Sequence, residues 1–304
     1  GNLGLCYDIL GQIAKAIDYH EQALAISREV GNRAGEGIVL GNLGSCYRNL
    51  GQYAKAIDYH KQALAIFRQI GDRAGEGATL SNLGGCYSDL GQYDKAVDHI
   101  QSAQAIARDI GDQLGQAAYQ RRWGNTALLQ GDWAEAATQY QLALAIADAI
   151  GASSSQHQTR WGLALVKLYT GDLLEARARI DSALTFDEPE NTHKSQAALG
   201  VIALRQGDGV TARDAFNRAI AHADELLGHS DQNYDAWDTR FIALSGLALL
   251  ATDPTQRESH LVEARSAYAK ARELTNNAPG VVTNVRQLLD ALQVADTDGV
   301  LSDL

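Results

Sequence analysis

The chain has 304 residues, with 26 Lys and Arg against 37 Asp and Glu and a formal charge of −11 at neutral pH. That sign opposes a phosphate backbone or an anionic bilayer, so nucleic acid and membrane are excluded as expected partners. No apolar run approaches the roughly 20 residues of a membrane span, the longest covering residues 242–251, and no signal peptide opens the chain, which together predict a cytoplasmic protein. The chain opens inside a repeat at Gly1 and contains no Met, as expected of a piece excised from a longer polypeptide.

The string GNLGSCYRNLGQYAKAIDYHKQALAIFRQIGDRAGEG at 41–77 stands nearly unchanged from Gly1 and again, with a few substitutions, from Ser81. Gly11, Gly51, Gly91, Gly131 and Gly171 recur every forty residues, and Gly31, Gly71, Gly111 and Gly151 fall midway between them. Each period is therefore two segments closed by glycine, the residue that fits the left-handed conformation at a helix C-terminus. In the second segment Tyr53, Ala56, Ile57, His60, Ala63, Leu64 and Phe67 mark one helical face, as Leu40, Leu43, Gly44, Tyr47 and Leu50 do in the first. The unit is a helical hairpin. Gly44 and its counterparts Gly4, Gly84 and Gly124 sit inside helices, where each glycine costs about 1 kcal/mol; the expected compensation is room for side chains of the partner helix. A lone hairpin cannot bury both faces, so copies must stack into a solenoid. Cys6, Cys46 and Cys86 share one repeat position, too far apart for disulfides across packed helices, and are expected to be reduced, buried fillers.

Leu43-Gly44-x-x-Tyr47, Gly51, Ala56 and Ala63 resemble the tetratricopeptide repeat, in a variant of about forty residues rather than the commoner thirty-four. Copy four keeps Trp123-Gly124, Gly131, Ala136 and Ala143. Copy five keeps Leu163, Gly171, Ala176 and Ala183 but has Ala164 for the glycine. Copy six, after a step of 36, keeps Leu199-Gly200, Gly207, Ala212 and Ala219. A degenerate seventh copy is predicted, with its first helix over 234–250 and Ala264, Tyr268 and Ala271 in its second. Val281, Val285, Leu288, Leu289 and Leu292 then predict one amphipathic helix, expected as a terminal cap, with a frayed acidic tail from Asp296. The resemblance implies an all-α, right-handed superhelix of about seven hairpins over 1–275, with a capping helix and flexible tail over 276–304.

Motifs of chemistry are missing from the sequence: it has no GxxxxGK[ST], HExxH, CxxC or GxSxG. Gly35-x-Gly37 and Gly75-x-Gly77 follow helices and lack a third glycine. His20 and His60 lie forty residues apart without a ligand set around them, which predicts packed histidines and no metal. Asp18, Asp58, Glu36 and Glu76 recur by copying and read as a solvated face. No catalytic residue and no cofactor are predicted for this segment.

In the family the first helices line a concave surface that binds extended peptides or protein segments, and the residue before the Leu-Gly pair faces it. The resemblance places Asn2, Asn42 and Asn82 there, followed by Arg122. Such a column either pairs with the backbone of an extended ligand or bonds within the helices. Arg48, Arg121, Arg122, Asn125, Trp161 and Tyr169 break the copied pattern on the same side. Guanidinium forks beside aromatic rings suit a ligand with carboxylate or phosphate groups and an apolar anchor, such as a protein or peptide carrying acidic groups; equally, Trp161 can replace a core aromatic and the arginines can pair with neighbouring acids. The wording GNLG, LGQY and IGDRAGEG is similar to the C-terminal arrays of bacterial STAND-type NTPases, where the array senses a trigger or holds the enzyme off, with oligomerisation through the parent protein. A free-standing adaptor resembling LGN or kinesin light chain, and the regulatory half of a protease or phosphatase, are the alternatives.

Overall fold

The computed structural model describes residues 3, 4, 7, 12–186 and 189–304; Asn2, Cys6 and Gly11 lie outside them. Among the described residues the helices α1 (Ile13–Glu29), α2 (Arg33–Asn49), α3 (Tyr53–Ile70), α4 (Arg73–Asp89), α5 (Tyr93–Asp109), α6 (Gln113–Gln130) and α7 (Trp133–Ile150) follow the forty-residue period. They continue as α8 (Ser153–Tyr169), α9 (Leu173–Ala183), α10 (Pro189–Arg205), α11 (Gly209–His229), α12 (Tyr234–Leu250), α13 (Pro254–Thr275) and α14 (Pro279–Gln293). No described helix is long and apolar enough to cross a membrane.

Sequence chemistry sets the boundaries. Gly71 (φ 74°) and Gly131 (φ 78°) close α3 and α6 in the left-handed region that a Cβ disfavours. Asn32, Asp72 and Asp112 cap the next helix, each accepting the amide N–H three residues on, from Gly35, Gly75 and Gly115. In the same joint Glu76 lies between Arg68 (2.9 Å) and Arg73 (2.6 Å), and Glu36 lies in the same way between Arg28 and Arg33. Asp18 and Asp58 are exposed, but Glu36 and Glu76 are buried, which corrects the expectation of a solvated face. The IGDRAGEG wording is thus a hinge between hairpins, with a left-handed stop, a cap and a two-arginine clamp.

Hairpins α2/α3, α4/α5, α6/α7, α8/α9, α10/α11 and α12/α13 stack in order. First helices of successive hairpins touch one another, whereas second helices pack between first helices. This arrangement makes the array curve, with α2, α4, α6, α8, α10 and α12 on its inner face. The helical glycines admit the partner helix as anticipated. A Cβ on Gly44 would fall 2.6–2.8 Å from the His60 ring, and one on Gly84 would fall 2.7 Å from Ile100. Tyr140 lies between Gly124 and Gly162, and Phe216 between Gly200 and Gly246. Cys46 and Cys86 are buried and form no disulfide, and burial pushes the Cys86 thiol up to about 11.

Two features of the C-terminus differ from expectation. Helix α14 covers apolar surface as a cap does, but that surface is the inner face: it touches α4, α6, α8, α10 and α12. The residues from Asp296 are folded, with Leu301 fully buried and the Asp296 carboxylate accepting the amides of Val300 (2.9 Å) and Leu301 (2.7 Å).

His60 yields a prediction. It is fully buried, neither ring nitrogen has a partner, and burial pushes its pKa down to about 3, so it is neutral in the folded chain. The equivalent residue in the next copy is Ile100. His60→Ile removes two unpaired polar atoms and is expected to stabilise by about 1–3 kcal/mol at pH 7. Between pH 6.5 and about 3 the unfolded histidine binds a proton that the folded one does not, so wild-type stability falls as pH falls. The variant's advantage in denaturant unfolding should therefore widen, by up to about 1.4 kcal/mol per pH unit. An advantage that stays flat down to pH 4 would contradict the neutral, buried imidazole.

Candidate functional site

The inner face is built from first helices, and the departures from the copied sequence meet there. Arg122 on α6, Arg48 on α2, Asn125 on α6 and Trp161 on α8 border a cavity of 180 Å³ whose other wall is Gly280, Val281 and Asn284 of α14. A second cavity of 160 Å³ is bordered by Arg121, Asn125, His157, Trp161, Lys194 and Ser195. Asn125, Trp161 and Lys194 line both.

Of the residues predicted from the sequence, Arg48 is engaged: it reaches across to the next hairpin and forks onto Asp89 at 2.6 and 3.3 Å, and that carboxylate raises its pKa. Asn125 accepts the Tyr140 hydroxyl at 2.7 Å, and Asn82 accepts Arg122 at 3.4 Å. Asn42 borders neither cavity. Tyr169 packs against Trp133 with ring centroids 5.2 Å apart, and its buried hydroxyl has no partner, so its pKa rises through desolvation. Trp161 both packs on the core and holds its indole N–H buried without an acceptor.

Arg121 and Arg122 differ from Arg48. Among the described residues no carboxylate forms an ion pair with either, and both Nε atoms are buried without acceptors. Desolvation, then Arg48 and Arg121, push the Arg122 guanidinium down to about 9, and desolvation lowers Arg121. Lys194, which sequence reasoning missed, is bound to Asp235 at 2.7 Å. It lies in the polar first half of α10, PENTHKSQ, where nothing in the sequence singles it out. The part played by α14 had no signal beyond amphipathicity, which does not say which surface a helix covers.

The arrangement offers hydrogen-bond donors and positive charge around partly enclosed space, and in the wall of the second cavity the Ser195 hydroxyl meets His157 Nε2 at 3.3 Å. No group of three or more His, Cys, Asp or Glu able to hold a metal occurs among the described residues.

The tetratricopeptide repeat family model matches residues 1–69 and 73–149. These residues are tetratricopeptide repeats. The tetratricopeptide fold extends through the later copies, as similarity to solved structures shows. A Rap protein complexed with Competence and Sporulation Factor aligns over 95% of this chain and 74% of its own, at 18% identity and a TM-score of 0.65. The apo form of RapI aligns over 90% and 95%, at 15% identity and a TM-score of 0.63. The STAND protein with a tetratricopeptide repeat sensor from Pyrococcus horikoshii aligns over 93% of this chain and 43% of its own, at 17% identity and a TM-score of 0.52. At these identities the likeness is one of fold. No curated protein matches the chain.

Proposed function

We propose that this tetratricopeptide array is a non-catalytic recognition module whose inner face takes a protein or peptide segment carrying acidic groups. The observation that carries the reading is that Arg121 and Arg122, without a carboxylate partner, line with Trp161 the cavities of the inner face in a chain of charge −11. Uncompensated, partly buried cations are costly, and a complementary ligand repays that cost. The complex of the Rap neighbour with Competence and Sporulation Factor supports the reading by analogy of fold. We further infer that the array is the sensor or autoinhibitory region of a bacterial STAND-type signalling or defence NTPase, a reading supported by the similar fold of the Pyrococcus sensor protein.

To test recognition, the immobilised chain is challenged with a displayed library of random decapeptides. Enrichment of acidic sequences is expected, with at least tenfold weaker binding to Trp161→Ala. Enriched peptides indifferent to Trp161 would move the site off the inner face, and no enrichment would remove the reading. To test the sensor role, ATP binding is measured on the parent polypeptide; a parent without it would remove the NTPase assignment and leave recognition intact.

A further inference from the structure

Helix α14 decides what size of ligand the inner face admits. Burial of its Val281, Val285, Leu289 and Leu292 contributes a sum of hydrophobic stabilisation that exposure would forfeit. A ligand that replaced α14 would have to supply most of that sum on its own, so binding is cheaper in the space that α14 leaves. That space is the pair of cavities meeting at Asn125, Trp161 and Lys194.

Its charge is unbalanced. Arg48, Arg121, Arg122 and Lys194 line the two cavities, and the carboxylates there are Asp89 and Asp235. Arg48 is matched by Asp89 and Lys194 by Asp235, so Arg121 and Arg122 remain as two uncompensated positive charges. The indole N–H of Trp161, which lines both cavities, lacks an acceptor, as do the Nε groups of Arg122 in the first cavity and Arg121 in the second. A single carboxylate answers half of that charge. A phosphoryl group, with about −1.5 to −2 charge at neutral pH and three acceptor oxygens, answers nearly all of it and offers acceptors to several donors. We propose that the paired cavities form a phosphoryl-binding site walled by α14, with Arg121 and Arg122 as its charge and Trp161 and Asn125 fixing orientation. The proposal rests on the recognition reading only in placing the ligand on the inner face. The phosphoryl group is either free, as on a small molecule, or carried on a side chain of a partner.

The test is thermal unfolding of the full chain at constant ionic strength, titrated with inorganic phosphate, with N-acetyl-phosphoserine amide and with acetate. A rise in Tm that saturates with either phosphoryl probe, and not with acetate, is the expected result. Arg121→Gln and Arg122→Gln should each weaken the apparent affinity at least tenfold without lowering the unliganded Tm, because each removes a charge that has no carboxylate partner. Tighter binding of inorganic phosphate assigns the site to a free ligand, whereas tighter binding of the blocked phosphoserine assigns it to a modified partner. No saturable, phosphoryl-specific rise in the wild type overturns the site whether or not the variants fold, and so does a rise that survives both substitutions. Selection of unphosphorylated peptides without a phosphate response would retain recognition and sink this proposal; a phosphate response without peptide selection would do the reverse.

Discussion

Gly280→Ala is expected to destabilise the chain by about 2–3 kcal/mol, the cost of overpacking against a surface that cannot yield. A Cβ at this position would overlap the carbonyl oxygen of Ser88 and come within 2.9 Å of that of Asp89. Both are backbone atoms in the last turn of α4, so no rotamer change relieves the clash. Either the start of α14 lifts away or the end of α4 unravels. The close approach also sets the N-terminus of α14, opened by Pro279, against the C-terminal carbonyls of α4, an alignment of helix dipoles that lifting would forfeit. Gly41→Ala is the matching control: it lies within α2 with nothing inside 4 Å of an added Cβ, and there the methyl should stabilise by about 0.5–1 kcal/mol. Urea unfolding of both variants measures the contrast. Equal stability of Gly280→Ala and wild type would mean that α14 does not dock against α4.

Phe216→Ala should cost about 3–5 kcal/mol, the range for removing a fully buried aromatic ring. The ring has no exposed surface and is enclosed by Gly200 and Gly246, whose missing side chains created its slot. Neither glycine has atoms with which to refill the space, so relaxation requires whole helices, α10 and α12, to close on α11. Because a solenoid's stability is built from neighbouring interfaces, the loss should concentrate in the hairpins from α10 onward. Amide hydrogen exchange is expected to quicken there and to stay nearly unchanged in α2 to α5. A cost below 1 kcal/mol, or a uniform quickening, would show that the slot collapses without penalty or that the array unfolds as one unit.

The hairpin was legible because its causes are local and written several times. Gly71 at the end of α3, the expected first helix of the seventh copy over Tyr234–Leu250, and the space at Gly44 all follow from neighbours within one period. The candidate site was legible only as a set of departures from the copies. Arg122, Asn125 and Trp161 do border one cavity, yet Arg48 beside them is bound to Asp89, forty-one positions on. An arginine looks the same in a sequence whether or not a carboxylate meets it. Glu76 shows the converse: copying made it look like surface, while its flanking arginines hold it buried.

By itself the sequence determined an all-helical repeat with a forty-residue period, its capping residues and its glycine slots, because backbone conformation and adjacent-helix packing depend on residues a few turns apart. Only the tertiary structure decided that α14 runs along the inner face, where Gln287 donates to the Leu128 carbonyl at 3.0 Å across 159 positions. It alone also decided that Arg121 and Arg122 are left without a counter-charge. Both outcomes depend on the accumulated curvature of the whole array, which brings the last helices back to the first ones, and curvature summed over many small rotations is not written at any one position.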